Sequence, residues 1–229
     1  MNPTFHITRE AQDRVAALSH QRAAAAQRDG LFDAEIVTVE VPQRKGDPRL
    51  VTADEGIRPE TTEETLANLR PAFAKDGTIT AGNASQISDG ASAVVLTTRA
   101  HADDRGWPVL AVVGAAGQVA GPDNSLHAQP ARAIAQALER QGLQASDLDL
   151  VEINEAFGAV VVHSQHELGI SEDVVNVHGG GIALGHPIGA SGGRLVVHAV
   201  QELVRRGGGT AAVGLCGGGG QGEALVLTR

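Results

Sequence analysis

Large aromatic side chains are nearly absent from this 229-residue chain, which has no tyrosine, one tryptophan and four phenylalanines. A core with so few large rings has to be built from small residues, valine and leucine, which favours close backbone packing. The chain also has only one cysteine, so an internal disulfide is excluded, and a lone thiol fits a reducing compartment. Its length is enough to bury a full core in one or two domains.

The chain has neither a surplus of basic residues nor a long apolar run. Its formal charge is −9 and its isoelectric point is about 5.4. A general nucleic-acid-binding protein would need a basic face, so we expect no nucleic-acid partner, although a local arginine site for a nucleotide phosphate stays open. The start, MNPTFHITREAQDRV, lacks the apolar run of a signal peptide, and no stretch approaches the length of a membrane span. We therefore expect a cytoplasmic protein with no membrane partner.

Helical and strand patterns alternate along the chain. Thr8 is a candidate N-cap for an alanine-rich helix that continues to about Arg28 and ends at Gly30. Such alternation predicts an α/β fold built in layers, and the two last strands, joined by a glycine turn, predict an antiparallel hairpin. The other predicted helices are 63–69, 130–141, 156–168 and 191–206; the predicted strands are 35–41, 109–113, 148–153, 174–177, 211–215 and 223–227; and 91–96 is a helix or a strand.

The stretch GHPIGASG, at Gly185–Gly192, is the strongest candidate for chemistry. It places His186 between glycines, just before a predicted helix. Glycine permits the close approach of a ligand, and a helix N-terminus supplies N–H groups and positive potential. His186 could then transfer a proton or donate to an oxyanion. The plainer interpretation is a structural loop with a capping histidine.

Two further candidates lie at the ends of predicted strands. Cys216 precedes four glycines, which suits a reactive cysteine, although a buried, inert thiol is about as common for an isolated cysteine. In the stretch NEAF, Asn154 could orient a water or a carbonyl and Glu155 could ionise or brace a loop, whereas the plainer interpretation is a helix N-cap. His163 and His166 are three residues apart but lack a third ligand, so no metal site is expected.

Taken together and in this order, NEAF, GHPIGASG and the Cys-Gly-Gly-Gly turn resemble the thiolase family, as do LRPAF at Leu69–Phe73 and TAGNAS at Thr80–Ser85. The resemblance runs over nearly the whole chain. It implies a thiolase-like layered α/β sandwich that comprises the C-terminal half and a coenzyme A-binding loop domain. In this division, residues 1–87 form the loop domain, 88–108 are a remnant of the N-terminal domain, and 109–229 form the C-terminal domain.

The resemblance also implies roles for individual residues. Cys216 matches the cysteine that acts as acid and base, and His186 matches the histidine that activates the nucleophile and helps to bind the thioester oxygen. Asn154 matches the asparagine that holds a water in the same oxyanion site, Gly218 falls in the oxyanion loop, and Ser85 matches a serine that touches the pantetheine arm. The residues that fall where thiolases line the channel for coenzyme A and the acyl group are Arg58, Leu69, Phe73, Ala81, Ala156 and Phe157, with Leu126 in place of a family methionine.

The implied activity is that of an acetyl-CoA C-acetyltransferase in fatty acid metabolism. The substrates would be acetyl-CoA, acetoacetyl-CoA or longer 3-ketoacyl-CoA and coenzyme A, and no cofactor is expected. The family's acyl-accepting cysteine lies in the N-terminal domain, and no residue here matches that cysteine. We therefore expect an incomplete enzyme whose partner is a separate N-terminal half, and a homo-oligomer when complete. The alternatives are a noncatalytic coenzyme A-binding or assembly module and, with less support, a Cys–His hydrolase that uses Cys216 and His186.

Overall fold

The computed structural model describes residues 5–229 and consists of helices packed on a mixed sheet. The helices are α1 (Arg9–Arg28), α2 (Glu63–Ala67), α3 (Arg99–Arg105), α4 (Gln129–Gln141), α5 (Gly158–Leu168), α6 (Gly181–Leu184) and α7 (Ser191–Arg206). The strands are β1 (Val39–Val41), β2 (Arg49–Val51), β3 (Val112–Ala120), β4 (Leu150–Ile153), β5 (Thr210–Gly217) and β6 (Gln221–Thr228). Within the described range, no helix combines the length and the apolar character needed to cross a membrane.

Helix α1 begins and ends as the sequence predicts. The Thr8 hydroxyl accepts a hydrogen bond from the Ala11 amide at 3.2 Å, which satisfies one of the free N–H groups at the helix start. The helix ends at Arg28 with Asp29 as its C-cap residue, and Gly30 follows with a φ of +70°. Its alanine-rich side, which includes the fully buried Ala16 and Ala23, lets the helix pack closely against α2, α5 and α6.

The main sheet has the strand order β3–β6–β5–β4. Strands β4 and β5 run parallel, with Ile153 opposite Gly214, and β5 and β6 form the predicted antiparallel hairpin. Side chains on alternate positions of the strands face opposite ways. Those on one face pack with α4, and those on the other face pack with Leu195, Ala199 and Leu203 of α7. The predicted layered α/β fold is thus confirmed.

Two predicted strands are much shorter than the sequence pattern suggests. Only the last three residues of 35–41 form a strand, because Glu35 is held elsewhere: its Oε2 atom lies 2.9 Å from Nδ1 of His198 on α7. The prediction for 174–177 is wrong, since a 3₁₀ turn at Glu172–Val174 is followed by a single bridge between Val175 and Val151. A local pattern of β-branched residues carries no information about such distant contacts.

The apolar run 91–96 forms neither the predicted helix nor a strand. Val95 is 87% exposed and Leu96 72%, and the run pairs with no strand of the described chain. The chain is instead anchored at the start of this run, where the Ser92 hydroxyl donates to the Ala190 carbonyl at 2.7 Å. Likewise, the strand predicted at 109–113 begins only at Val112 and continues to Ala120, where it pairs with β6.

The absence of a side chain at Gly180, just before α6, yields a test of the packing. A Cβ atom there would lie 2.7 and 2.8 Å from the two carboxyl oxygens of the buried Glu155. Since Glu155 is held by hydrogen bonds, it cannot move aside freely, so Gly180→Ala is expected to lower the free energy of unfolding by about 1–3 kcal/mol in urea denaturation.

Gly192 provides the matched control for this substitution. It lies in the first turn of α7, and nothing is within 4 Å of the position that a Cβ atom would occupy there. Gly192→Ala should therefore be neutral or stabilise by up to about 1 kcal/mol, because alanine favours the helix. Equal effects of the two substitutions would show that Glu155 does not restrict the space at Gly180.

Candidate active site

The side chains of Asn154 and His186 meet at the carboxyl edge of the sheet. Asn154 directly follows β4, and its backbone N–H donates to the Gly214 carbonyl of β5 at 2.9 Å. This bond extends the parallel pairing by one residue and fixes the direction of the side chain. The Asn154 Nδ2 atom then lies 3.1 Å from His186 Nε2. Two residues that are separated in the sequence by α5, α6 and their connecting loops are thus in direct contact.

The loop that carries His186 is held by its neighbours on both sides. Its backbone N–H donates to the Gln86 carbonyl at 3.1 Å, and its Nδ1 atom lies 2.6 Å from the Ser191 hydroxyl. Gly185 has a φ of +91°, and a side chain there would overlap Ser88. Burial lowers the pKa of His186, and the positive charge of Arg194 lowers it further. The imidazole is therefore neutral at neutral pH, as a general base must be.

Glu155 braces the loop beside this contact. Its Oε2 atom accepts from the Ser19 hydroxyl at 2.6 Å and from the Ile182 amide at 3.0 Å, while Oε1 accepts from Asn176 Nδ2 at 2.9 Å. Burial raises its pKa, and these hydrogen bonds oppose the rise. The bracing interpretation of Glu155 agrees with these contacts. The N-cap interpretation does not, because the N-cap residue of α5 is Phe157, without a side-chain hydrogen bond.

Arg194 connects the site with buried charged groups behind it. Its Nη1 atom lies 3.9 Å from Oε2 of Glu152, a fully buried residue of β4. Burial raises the pKa of Glu152 to about 7, although His198 and Arg194 favour its ionised form. One guanidinium therefore acts on His186 at the site and on the acid beneath the sheet edge, which links the two electrostatically.

Cys216 lies near the end of β5, where it is paired with Gly222 of β6. It is two residues beyond Gly214, about 7 Å along the strand at the usual rise per residue. Its side chain belongs to the apolar cluster beneath α4 and is only 9% exposed. Burial raises the pKa of the thiol to about 11. Cys216 therefore keeps its proton at neutral pH, so reactivity requires a group that accepts this proton.

Part of the predicted substrate channel is assembled next to the same edge. Phe73 and Phe157 meet edge to face, with ring centroids 6.1 Å apart. The Ser85 amide donates to the Ala156 carbonyl at 3.1 Å. Leu126, Ala156 and Phe157 pack against the cluster that contains the only cysteine. Phe73 is itself 75% exposed, and four other predicted residues are exposed as well: Arg58, Leu69, Ala81 and Gly218.

Sequence reasoning missed three residues whose hydrogen bonds hold His186 and Glu155 in place. Ser191 contacts His186 from the helix start, Gln86 accepts its backbone N–H, and Ser19 bonds to Glu155 from α1. Ser191 lies within GHPIGASG itself, but its contact with His186, five residues earlier, depends on the path of the loop between them. Ser19 and Gln86 had no local signal. Among residues 5–229, no group of three or more His, Cys, Asp or Glu is arranged to hold a metal ion.

Comparisons with known proteins agree along the whole chain. The family profile "Thiolase, N-terminal domain" matches residues 1–100, and "Thiolase, C-terminal domain" matches residues 107–229. A probable acetyl-CoA acetyltransferase of Mycolicibacterium smegmatis is 58% identical over 100% of this chain and 59% of its own length. The chain thus spans about three fifths of the length of this curated relative.

Solved structures give the same result. The acetyl-CoA acetyltransferase of Bacillus anthracis matches with a TM-score of 0.94 and 40% identity, over 99% of this chain and 57% of that one. Human mitochondrial 3-ketoacyl-CoA thiolase in complex with CoA matches with a TM-score of 0.89 and 38% identity, over 99% and 56%. The chain folds as these proteins do over the part that it shares with them.

The raised pKa of Cys216 can be measured directly, because it is the only cysteine. Since the thiolate is the nucleophile, alkylation by iodoacetamide should accelerate about tenfold per pH unit from about pH 7 to about pH 10 without levelling off. The same chain unfolded in urea serves as the control and should level off near the ordinary thiol pKa of about 8.5. Levelling off of the folded chain at or below that value would contradict the effect of burial.

Proposed function

The chain belongs to the thiolase family, and on that premise we propose that it supplies one side of the active site of an acetyl-CoA C-acetyltransferase. The reaction is the Claisen condensation of acetyl-CoA and, in reverse, the thiolytic cleavage of 3-ketoacyl-CoA. The observation that carries the proposal is the contact of Asn154 with His186 at the strand edge that also bears Cys216. The similarity to acetyl-CoA acetyltransferases supports the acyltransferase over the noncatalytic module.

In the cleavage direction, Cys216 acts as the acid. Attack of a thiolate on the 3-keto carbon breaks the C2–C3 bond, and the bonding electrons pass to C2 as the enolate of acetyl-CoA. C2 then takes the proton from the Cys216 thiol. The high pKa that burial gives this thiol suits the role, because the group stays protonated until a strongly basic enolate forms beside it. In condensation the same step runs in reverse, with the thiolate taking the proton from C2.

His186 acts on the attacking thiol, and Asn154 acts on the oxygen of the reacting thioester. A neutral imidazole can accept the proton of an attacking thiol, and burial favours the neutral form of His186. The Oδ1 atom of Asn154 is buried and accepts no hydrogen bond from the described residues, so it is available to a water at the oxyanion. The resemblance assigns the same two roles to these residues.

Coenzyme A thioesters are the proposed substrates, without a further cofactor. The grouping of Phe73, Ser85, Ala156 and Phe157 beside the reactive edge supports a channel for the pantetheine arm. The solved thiolase that binds CoA, with which this chain shares its fold, supports the same ligand class. The proposal includes an N-terminal thiolase segment that carries the acyl-accepting nucleophile, a cytoplasmic homo-oligomer and a role in fatty acid metabolism.

The test combines the chain with a matching N-terminal thiolase segment, fused or supplied separately, and measures CoA-dependent cleavage of acetoacetyl-CoA. We expect activity in the combination. Cys216→Ala and His186→Ala should each lower kcat by at least about a hundredfold, since each removes a proton-transfer group. Ser164→Ala is the control, because this buried hydroxyl lies on α5 and has no hydrogen-bond partner among the described residues.

Two results would count against the proposal. A folded combination that binds CoA but cleaves no acetoacetyl-CoA would favour the noncatalytic coenzyme A-binding module. Activity that survives both Cys216→Ala and His186→Ala would place the chemistry elsewhere in the assembly. Retention of activity in Ser164→Ala alone, with loss in the other two, supports the assigned roles.

A further inference from the structure

The side chain of Ser191, the first residue of α7, lies 2.6 Å from Nδ1 of His186. We propose that Ser191 is a positioning residue that keeps a proton on Nδ1, so that the lone pair of Nε2 faces Asn154 and the reacting groups. The chemical meaning of this arrangement rests on the proposed function. The position of the proton, however, is a property of the chain and can be measured without any activity.

The hydrogen of the Ser191 hydroxyl has another partner. Its Oγ atom donates to the Pro187 carbonyl at 3.0 Å, and the Ser191 backbone N–H also donates to that oxygen at 3.0 Å. A serine hydroxyl has a single hydrogen, so towards His186 the oxygen can only accept. The hydrogen in the short contact must then belong to Nδ1 of the imidazole.

The contact on the opposite side of the ring leads to the same tautomer. Asn154 Nδ2 carries hydrogens and no lone pair for a hydrogen bond, and it lies 3.1 Å from His186 Nε2. In the neutral imidazole, one nitrogen donates and the other accepts. With the proton on Nδ1, Nε2 accepts from Asn154, and each of the two contacts has one donor and one acceptor.

The surroundings leave the Ser191 hydroxyl little freedom to change its hydrogen-bond partners. The residue is fully buried, so water cannot easily replace the imidazole or the carbonyl as its partner. The loop before it is tied down by the Ser92 hydroxyl, which donates to the Ala190 carbonyl, and by the Gln86 carbonyl, which accepts from the His186 amide. The hydroxyl and the ring are therefore held by separate anchors at a fixed separation.

The tautomer decides what His186 can do. A neutral imidazole that carries its proton on Nδ1 has a basic Nε2, which can take a proton from a thiol on the substrate side. The other tautomer carries its proton on Nε2, so Nε2 can donate a hydrogen bond towards the substrate side but cannot accept a proton from a thiol there. Second partners of this kind commonly set which ring nitrogen carries the proton. Ser191 thus has no contact with substrate in this account and acts only through His186.

The experiment is NMR of the chain labelled with ¹⁵N-histidine, recorded at about pH 7.5, where a histidine of lowered pKa is neutral. Comparison with His186→Asn assigns the resonances of the ring. We expect Nδ1 to resonate as a protonated, pyrrole-type nitrogen and Nε2 as an unprotonated, pyridine-type nitrogen. In Ser191→Ala this single state should give way to a mixture, with Nδ1 and Nε2 shifting towards each other.

Two variants separate positioning from folding. Ser191→Thr keeps the hydroxyl and should keep the single tautomer, whereas Ser164→Ala removes a buried hydroxyl far along the sequence and should leave the His186 resonances unchanged. Backbone amide spectra check that the fold is retained. If Ser191→Ala fails to fold, the parent chain and Ser191→Thr still decide the matter, because both are expected to show protonated Nδ1.

A proton on Nε2 in the parent chain would overturn the inference, as would an unchanged tautomer in folded Ser191→Ala. The outcome is independent of the enzymatic assay. An inactive combination with Nδ1 still protonated would contradict the proposed function and leave the role of Ser191 intact. Full activity with Nε2 protonated would support the proposed function and contradict the role of Ser191.

Discussion

Three hydrogen-bond donors from separate parts of the chain meet on the carboxyl group of Glu155, and the candidate site is built around this meeting point. Ser19 comes from α1, Asn176 from the loop before α6, and Ile182 from α6 itself. Glu155 is fully buried, and a buried carboxyl without partners would cost several kcal/mol. The fold therefore keeps the helix, the strand end and the loop together, because separating any one of them leaves this group or its donors unsatisfied.

The residues of the candidate site take their positions from this arrangement. Asn154 precedes Glu155 and is fixed to β5 through the Gly214 carbonyl, which directs its amide group to His186. Asn176 reinforces the strand end, since its side chain exchanges hydrogen bonds with the backbone of Ile153 at 2.8 and 2.9 Å. Most of these bonds involve the backbone. They set the geometry of the candidate site in advance, and the proposed catalysis requires such preorganised geometry.

The sequence predicted those features that depend on local chemistry. Thr8 as the start of α1 and the glycine-turned hairpin near Cys216 follow from capping and turn preferences. Features that depend on distant contacts were not predictable in this way. The strand at 35–41 shortens because Glu35 contacts His198 on α7, and the raised pKa of Cys216 results from burial by several elements. The contact of Ser191 with His186 depends on the path of the loop between them, which no local pattern specifies.

The most direct test of this account is the free energy of unfolding of Glu155→Ala, measured in urea. Three buried donors would lose their acceptor, at about 1–3 kcal/mol each, so a loss of at least about 3 kcal/mol is expected. Glu139→Ala, an exposed glutamate of α4, is the control and should change stability by no more than about 0.5 kcal/mol. A loss below about 1 kcal/mol for Glu155→Ala would contradict the claim that this carboxyl group holds the site together.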